Sequence, residues 1–364
     1  MSKLKVAILF GGKSTEHEVS LQSAKSIISA IDPTKYDIQL IGIDKTGKWF
    51  LNEQSHYLLN ENNPKLVQLN KSNIEISLST KENLGAIVNV KTNQQLSNID
   101  VVFPVLHGSF GEDGTIQGLL KSMNIPFVGA DVLGSAIGMD KDVAKRLLRD
   151  ANIAVADFMT LTKKNPDEFT FLQIQEKLGL PLFIKPANAG SSVGVHKVTN
   201  ELEYQNAIVD AFQYDKKILI EEAIAGKEIE CAVLGNDTPM ASVVGEVIPN
   251  DTFYSYEAKY INEDGAILEI PANIDPEVAQ QIRDIAVQVF KVLCCEGLAR
   301  IDFFLKPDNT VILNEINTMP GFTNISMYPK LWEATGLSYS HLIDTLIELA
   351  LERHKENRSI NKIV

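Results

Sequence analysis

Two apolar strands joined by Lys306-Pro307-Asp308-Asn309-Thr310 lie between Ala299 and Gly321, and the polar residues set into them constrain the chain more than any other segment. With Asp308-Asn309 as a two-residue turn, Pro307 pairs with Thr310, Asp302 falls opposite Glu315, and Arg300 falls opposite Asn317. Side chains alternate faces along a strand, so these four share one face, while Ile301 and Phe303 point the other way with Ile312 and Ile316. Directly opposed Cβ atoms lie about 4.5–5.5 Å apart. Two carboxylates at that separation repel unless a cation lies between them, and Asp, Glu and Asn oxygens suit magnesium or manganese rather than zinc. A solvated polar face explains one or two such charges. It explains poorly an Arg, an Asp, a Glu and an Asn in register ahead of Met319-Pro320-Gly321. A longer turn would shift that register.

The front of the chain predicts a different kind of sheet. Val6 to Phe10 is a short apolar run stopped by Gly11-Gly12. Thr15 and Glu18 have capping-box spacing, Val19, Ala24, Ile27, Ile28 and Ile31 follow at helical intervals, and Asp32-Pro33 ends the helix. Ile38 to Ile43 is a second strand, so the start reads β-α-β and predicts a parallel sheet with helices on its faces. Residues 45 to about 100 are polar, Asn-rich and weakly periodic, and read as an elaboration of this unit. Val101 to Leu106 returns as a buried strand, a helix fits Thr115 to Met123, and a short strand surrounds Phe127-Val128.

At 364 residues the chain exceeds one ordinary core. We expect three units: residues 1–132, with the parallel sheet; 133–226, with a helix carrying Lys141, Lys145 and Arg149 and strands at 182–185, 193–198 and 218–222; and 227–364, with strands near 229–234, 298–305 and 311–316 and helices at 276–293 and 339–353. The net charge of −13 argues against nucleic acid or an anionic membrane surface as partner. The three cysteines, Cys231, Cys294 and Cys295, offer neither a disulfide framework nor zinc spacing. No run approaches the roughly 18 apolar residues of a membrane span, and the apolar start ending at Phe10 is too short for a signal peptide. The expected location is the cytoplasm.

Lys185 to Gly194 is a Gly- and Ser-rich loop after a strand, where small residues let backbone N–H groups approach phosphate oxygens. It is not a Walker A loop, and Gly12-Lys13-Ser14 fails that pattern because the earlier glycine is Ala7. Its weight comes from its company: Lys185 at its start, Lys141 opening a helix, and the carboxylate hairpin. Glu221, Glu222 and Glu228 flank a short apolar run, where carboxylates can accept hydrogen bonds from a ribose or an adenine amine.

Taken together these motifs resemble the D-alanine–D-alanine ligases of the ATP-grasp superfamily. The resemblance rests on Gly11-Gly12-Lys13-Ser14-Thr15-Glu16-His17-Glu18-Val19-Ser20, Leu106-His107-Gly108 with Gly111-Glu112-Asp113-Gly114, Gly190-Ser191-Ser192-Val193-Gly194, Tyr256-Glu257-Ala258-Lys259-Tyr260, Arg300-Ile301-Asp302, and Asn314 to Gly321. These stand in family order over nearly the whole chain. The resemblance implies a mixed α/β, three-domain ATP-grasp architecture, with ATP between the central and C-terminal domains. It implies ATP-dependent formation of an acyl phosphate and its capture by an amine. Two magnesium or manganese ions would be held by Asp302, Glu315 and Asn317, with a monovalent cation such as K+ as a further implied cofactor.

By motif position, Lys141, Lys185 and Ser192 would contact ATP phosphates, and Glu221, Glu222, Ile224 and Glu228 would line the adenosine site. Glu16 would hold the ammonium of the first D-alanine, linked to Ser191 and Tyr260, with His107 nearby. Lys259 and Ser326 would hold the second carboxylate, and Arg300 with the N–H of Gly321 would face the oxyanion. Segment 246–264 is the candidate lid, and Tyr260 favours a dipeptide over a D-lactate product. A homodimer through the first domain is implied. Position 17 is histidine where some relatives carry arginine, and 222 is glutamate where some carry lysine. The competing readings are another ATP-grasp carboxylate–amine or depsipeptide ligase, and a nucleotide-binding regulator without catalysis.

Overall fold

The computed structural model describes residues 3–61, 63, 65–79, 85–249 and 266–360. Leu4–Gly11 is the centre of the first sheet, paired in parallel with Tyr36–Ile43 on one side and Val101–Val105 on the other. Trp49–Asn52 adds an antiparallel edge beyond Tyr36–Ile43. The crossover is the helix His17–Ala30, and every residue of its predicted apolar stripe is buried. Its start differs from expectation. No side chain caps it, and Glu18 turns instead to Lys45 at 2.7 Å. The Ser14 hydroxyl accepts from Glu16 N at 3.1 Å and donates to His107 O at 2.6 Å, which ties this turn to the loop after Val101–Val105. Near Phe127 there is one bridge to Val102 rather than a strand. The polar elaboration forms two small antiparallel sheets, Leu58–Leu59 with Gln68–Leu69, and Ile76–Ser79 with Ala86–Asn89 and Gln95–Asn98.

The second sheet is antiparallel, in the order Phe158–Thr162, Lys217–Glu222, Leu182–Pro186, His196–Val198. The last strand is shorter than the expected 193–198 because Gly190–Gly194 belongs to the loop. Helices Phe171–Leu178 and Glu201–Tyr214 cover it, and its apolar core is its own.

The third sheet has five antiparallel strands in the order Ala266–Glu269, Met240–Pro249, Lys227–Gly235, Gly297–Leu305, Val311–Asn317. One face packs Ile229, Cys231, Ile301 and Phe303 against Ile282, Val289 and Phe290 of the helix Pro276–Val292. A second cluster is continuous from Val6, Ile8 and Phe10 to Phe322, Tyr328, Trp332 and Leu342, so helices Met327–Thr335 and Tyr339–Ile360 join the first sheet to the third. The last helix outruns the expected 339–353. Among the described residues no helix is long and apolar enough to cross a membrane, and the three cysteines are free thiols.

The carboxylate hairpin keeps the expected pairing by a different route. Lys306 N donates to Thr310 O and Asn309 N to Lys306 O, so the loop is the three residues Pro307–Asn309 and Pro307 does not pair with Thr310. Asn309 takes φ 65°, the left-handed residue that such a loop needs. This moves the register by one, so that Phe303 pairs with Leu313. A bulge at Asn314 moves it back, and Asp302 pairs with Glu315 and Arg300 with Asn317. The bulge also reverses the facing of the strand before it. Val311 and Leu313 join the core with Ile316, and Ile312 does not, contrary to expectation.

Candidate active site

Segments from the three larger sheets and their loops meet at one cleft, which brings together Glu16, His107, Lys141, Ser191, Arg300, Glu315, Asn317 and Gly321. Glu16 enters from the turn before the first helix and is buried. Its carboxylate accepts from the Ser191 hydroxyl, 175 residues away. Ser191 and Ser192 both hold left-handed backbone, φ 52° and 60°, which turns the loop toward the first sheet. The loop is pinned from below: Asp215 Oδ2 accepts from Asn188 N and Nδ2, both at 2.8 Å, and Lys141 Nζ donates to Ala189 O at 2.8 Å.

Opposite Glu16 stands His107, 4% exposed. One ring nitrogen lies 3.0 Å from Met319 O and the other 3.0 Å from Ser23 Oγ. Burial outweighs the bond to Met319 and lowers the imidazole to about 4, so it is neutral at neutral pH. Glu112 is a third buried group that motif assignment passed over. Its Oε1 accepts from Gly108 N at 2.9 Å and lies 3.8 Å from His107 Nδ1. Burial first, and the charge of Glu16 second, raise its carboxyl to about 8.

On the hairpin, Arg300 Nε and Nη2 donate to Asp302 Oδ1 and Oδ2 at 2.8 and 2.7 Å, and Asn317 Nδ2 donates to Asp302 Oδ2 at 3.0 Å. Arg300 Nε also lies 2.8 Å from Glu230 Oε2. Glu230 pairs directly with Asp302 across the neighbouring strand, and Glu228 with Phe304, so both glutamates share the face of Arg300 and Asp302. Alternation from Glu228 was the signal for Glu230. Glu315 Oε2 approaches Lys141 Nζ at 3.6 Å. Among the described residues no three of His, Cys, Asp and Glu gather as a metal site. The two opposed carboxylates with the Asn317 oxygen are nonetheless a hard-oxygen donor set, which fits magnesium or manganese.

Behind Lys141 lies a buried charge cluster. Glu221 Oε2 is 2.7 Å from Lys185 Nζ, and its Oε1 is 3.2 Å from Lys145 Nζ. Burial pushes the Glu221 carboxyl up, but the two lysines outweigh it and hold it below the ordinary value. Lys145 is one helical turn from Lys141, the spacing that could have flagged it. Ile224 lies on the link between the second and third sheets, and the Glu222 carboxylate accepts from Asp157 N at 2.8 Å. Ser326 stands at the start of the helix Met327–Thr335, where its hydroxyl accepts from Thr323 N at 3.0 Å. Lys259, Tyr260 and residues 250–264 of the expected lid lie outside the described residues.

A central antiparallel sheet and a third sheet that close lysines and carboxylates around a Gly- and Ser-rich loop define an ATP-grasp ligase. Family models described as the D-ala D-ala ligase N-terminus and C-terminus match residues 5–130 and 147–348. The D-alanine--D-alanine ligase of Oceanobacillus iheyensis is 58% identical over 358 residues, 98% of each chain. The structure of the D-alanine-D-alanine ligase from Coxiella burnetii superposes with a TM-score of 0.85 at 39% identity, covering 99% of this chain and 97% of that one. The VanG D-Ala:D-Ser ligase from Enterococcus faecalis superposes at 0.83 with 38% identity, covering 96% and 100%. The chain belongs to the D-alanine–D-alanine ligase family.

Proposed function

We infer that this chain is an enzyme that uses ATP to join two D-alanines into D-alanyl-D-alanine, a peptidoglycan precursor. The observation that carries this reading is the Glu16–Ser191 bond, which sets an anionic seat for an ammonium inside the same cleft as Arg300, Glu315 and Asn317. The first D-alanine sits with its ammonium on Glu16 and its carboxylate toward the third sheet. A carboxylate is a poor electrophile, so one of its oxygens first attacks the γ-phosphorus of ATP, giving D-alanyl phosphate and ADP. Lys141 and Lys185 hold phosphate oxygens, and the adenosine lies along Glu221, Glu222, Ile224 and Glu228, with Ser192 at the phosphate loop. Asp302, Glu315 and Asn317 would hold a divalent ion, which would supply positive charge against those oxygens. The amine of the second D-alanine then attacks the acyl carbon. Arg300 and Gly321 N–H face the oxygen that becomes negative, and collapse expels phosphate as the new amide loses a proton. Neutral His107 lines the first subsite without competing for its ammonium.

The further assignments belong to this reading. They are Lys259 and Ser326 on the second carboxylate, Tyr260 beside Glu16 and Ser191, two magnesium or manganese ions, a monovalent cation, three domains at 1–132, 133–226 and 227–364, a homodimer through the first domain, and a cytoplasmic setting. The likeness to a D-Ala:D-Ser ligase leaves the second amine as the point to test. Phosphate release from Mg-ATP is measured with D-alanine, L-alanine, D-alanine plus D-serine, D-alanine plus D-lactate, or no acid, with product mass read in parallel. Release that depends on D-alanine and yields D-alanyl-D-alanine is expected. A mixed product dominating at equal concentrations would move the reading to the other amine or hydroxy acid. No release from folded protein that binds ATP would favour a regulator.

A further inference from the structure

Among the described residues Lys145 is the most buried lysine, at 2% exposure, and the fold alone gives little reason for a charge there. Its Nζ lies 3.2 Å from Glu221 Oε1, yet neither atom completes a hydrogen bond. Glu221 already has a partner in Lys185, 2.7 Å from its other oxygen. One buried carboxylate thus faces two ammonium groups. For the fold alone this is wasteful: Lys185 neutralises Glu221, and an apolar side chain at 145 would avoid burying a second cation. Burial indeed lowers the Lys145 ammonium from its ordinary value, against the pull of Glu221.

The surplus makes sense if Lys185 must leave. On the reading above, Lys185 goes to the nucleotide phosphates. That move, with no other cation present, would strand Glu221 as an unpaired buried anion. Lys145 is placed to stay: its side chain is 2% exposed, and its helix Lys141–Asp150 is tied to the phosphate loop through Lys141 N to Ala187 O at 3.0 Å. We propose that Lys145 is a positioning residue for the nucleotide, the resident counter-ion that keeps Glu221 charged and in place while Lys185 turns to the phosphates. The cost of releasing Lys185 is then low, and ATP affinity depends on a residue that touches no part of ATP. This rests on Lys185 and Glu221 facing the nucleotide.

The test uses the full chain and the probe AMP-PNP with magnesium, with binding read by calorimetry. Lys145→Met removes the charge and keeps the length. It should weaken AMP-PNP by at least about tenfold, while Lys145→Arg stays close to wild type. The KM for D-alanine should stay within about twofold. In a Glu221→Gln background there is no anion to hold, so Lys145→Met should then cost less than about threefold. Unchanged AMP-PNP affinity in Lys145→Met overturns the proposal, and so does an equal loss in the Glu221→Gln background. If Lys145→Met and Lys145→Gln both fail to fold while Lys145→Arg folds, Lys145 is only a structural counter-ion and the proposal fails. Wild type that binds no AMP-PNP would instead remove the nucleotide reading beneath it.

Discussion

The Arg300 guanidinium is bonded through Nε and Nη2 to both oxygens of Asp302, two residues along the same strand, at 2.8 and 2.7 Å. Glu230 approaches the same Nε at 2.8 Å from the next strand. Two carboxylates therefore fix one planar fork in the wall of the cleft before any substrate arrives. Arg300→Lys keeps the charge and loses the fork. It should lower kcat by about 10²–10³, the usual loss for one oxyanion donor, with the KM for ATP nearly unchanged. Steady-state kinetics checks this, and a matching rise in ATP KM would place Arg300 on the nucleotide instead.

Glu315 tests the divalent site. Its side chain is 25% exposed and its Lys141 contact is a loose 3.6 Å, so that ion pair adds little to the fold. Glu315→Gln should keep the melting temperature within about 2 °C, because a partly exposed ion pair contributes only about 0–1 kcal/mol. Turnover should fall at least about a hundredfold, with partial recovery at high magnesium or manganese. Metal titrations of activity beside thermal melts decide it. A variant with wild-type turnover at limiting metal would sink the assignment.

Gly108 tests the ammonium seat without touching a charge. It holds φ 72°, and a Cβ there would lie 2.2 Å from Glu16 Oε2. Gly108→Ala must push the Glu16 carboxylate off its bond from Ser191 or strain the loop. The KM for D-alanine should rise roughly tenfold or more, in line with misplacement of about 1 Å at a binding group. AMP-PNP affinity should not change, since the residues proposed to hold the nucleotide lie on other sheets. Equal losses in both would mean a general loosening of the cleft.

Much of this site is legible in the sequence because family motifs are local strings, each carried by one turn or strand. Arg300, Asp302, Glu315 and Asn317 share a face as alternation predicts, although a three-residue loop and a bulge at Asn314 cancel to give that pairing. Ile312 shows the limit: the same bulge reverses its facing, and nothing in Val311-Ile312-Leu313 announces it. Lys145 and Glu230 escape because a lysine on an amphipathic helix and a glutamate on a strand are ordinary until a distant chain buries them. The strand order of the second and third sheets is equally hidden, since it joins segments dozens of residues apart.

Glu112 yields a prediction about pH. Its carboxyl is raised from 4.5 to about 8, by burial first and by Glu16 second. Below about pH 4.5 folded and unfolded chains both carry this proton, so the group contributes nothing. Between about 4.5 and 8 only the folded chain holds it, and stability falls as pH rises through that window. Above about 8 the loss is complete. His107 acts in the opposite sense: its value is lowered from 6.5 to about 4, so stability falls as pH drops from about 6.5 toward 4. The wild-type curve mixes the two slopes, but the difference between wild type and Glu112→Gln cancels the common His107 part. That variant mimics the protonated acid, so the two proteins should melt alike near pH 5. By pH 8.5 Glu112→Gln should be the more stable, by about 1 kcal/mol or more. Melting curves at pH 5, 6.5 and 8.5 measure it. A difference that does not grow with pH would mean that Glu112 is ionised in the folded protein, and that the cleft holds two buried carboxylates rather than one carboxylate and one acid.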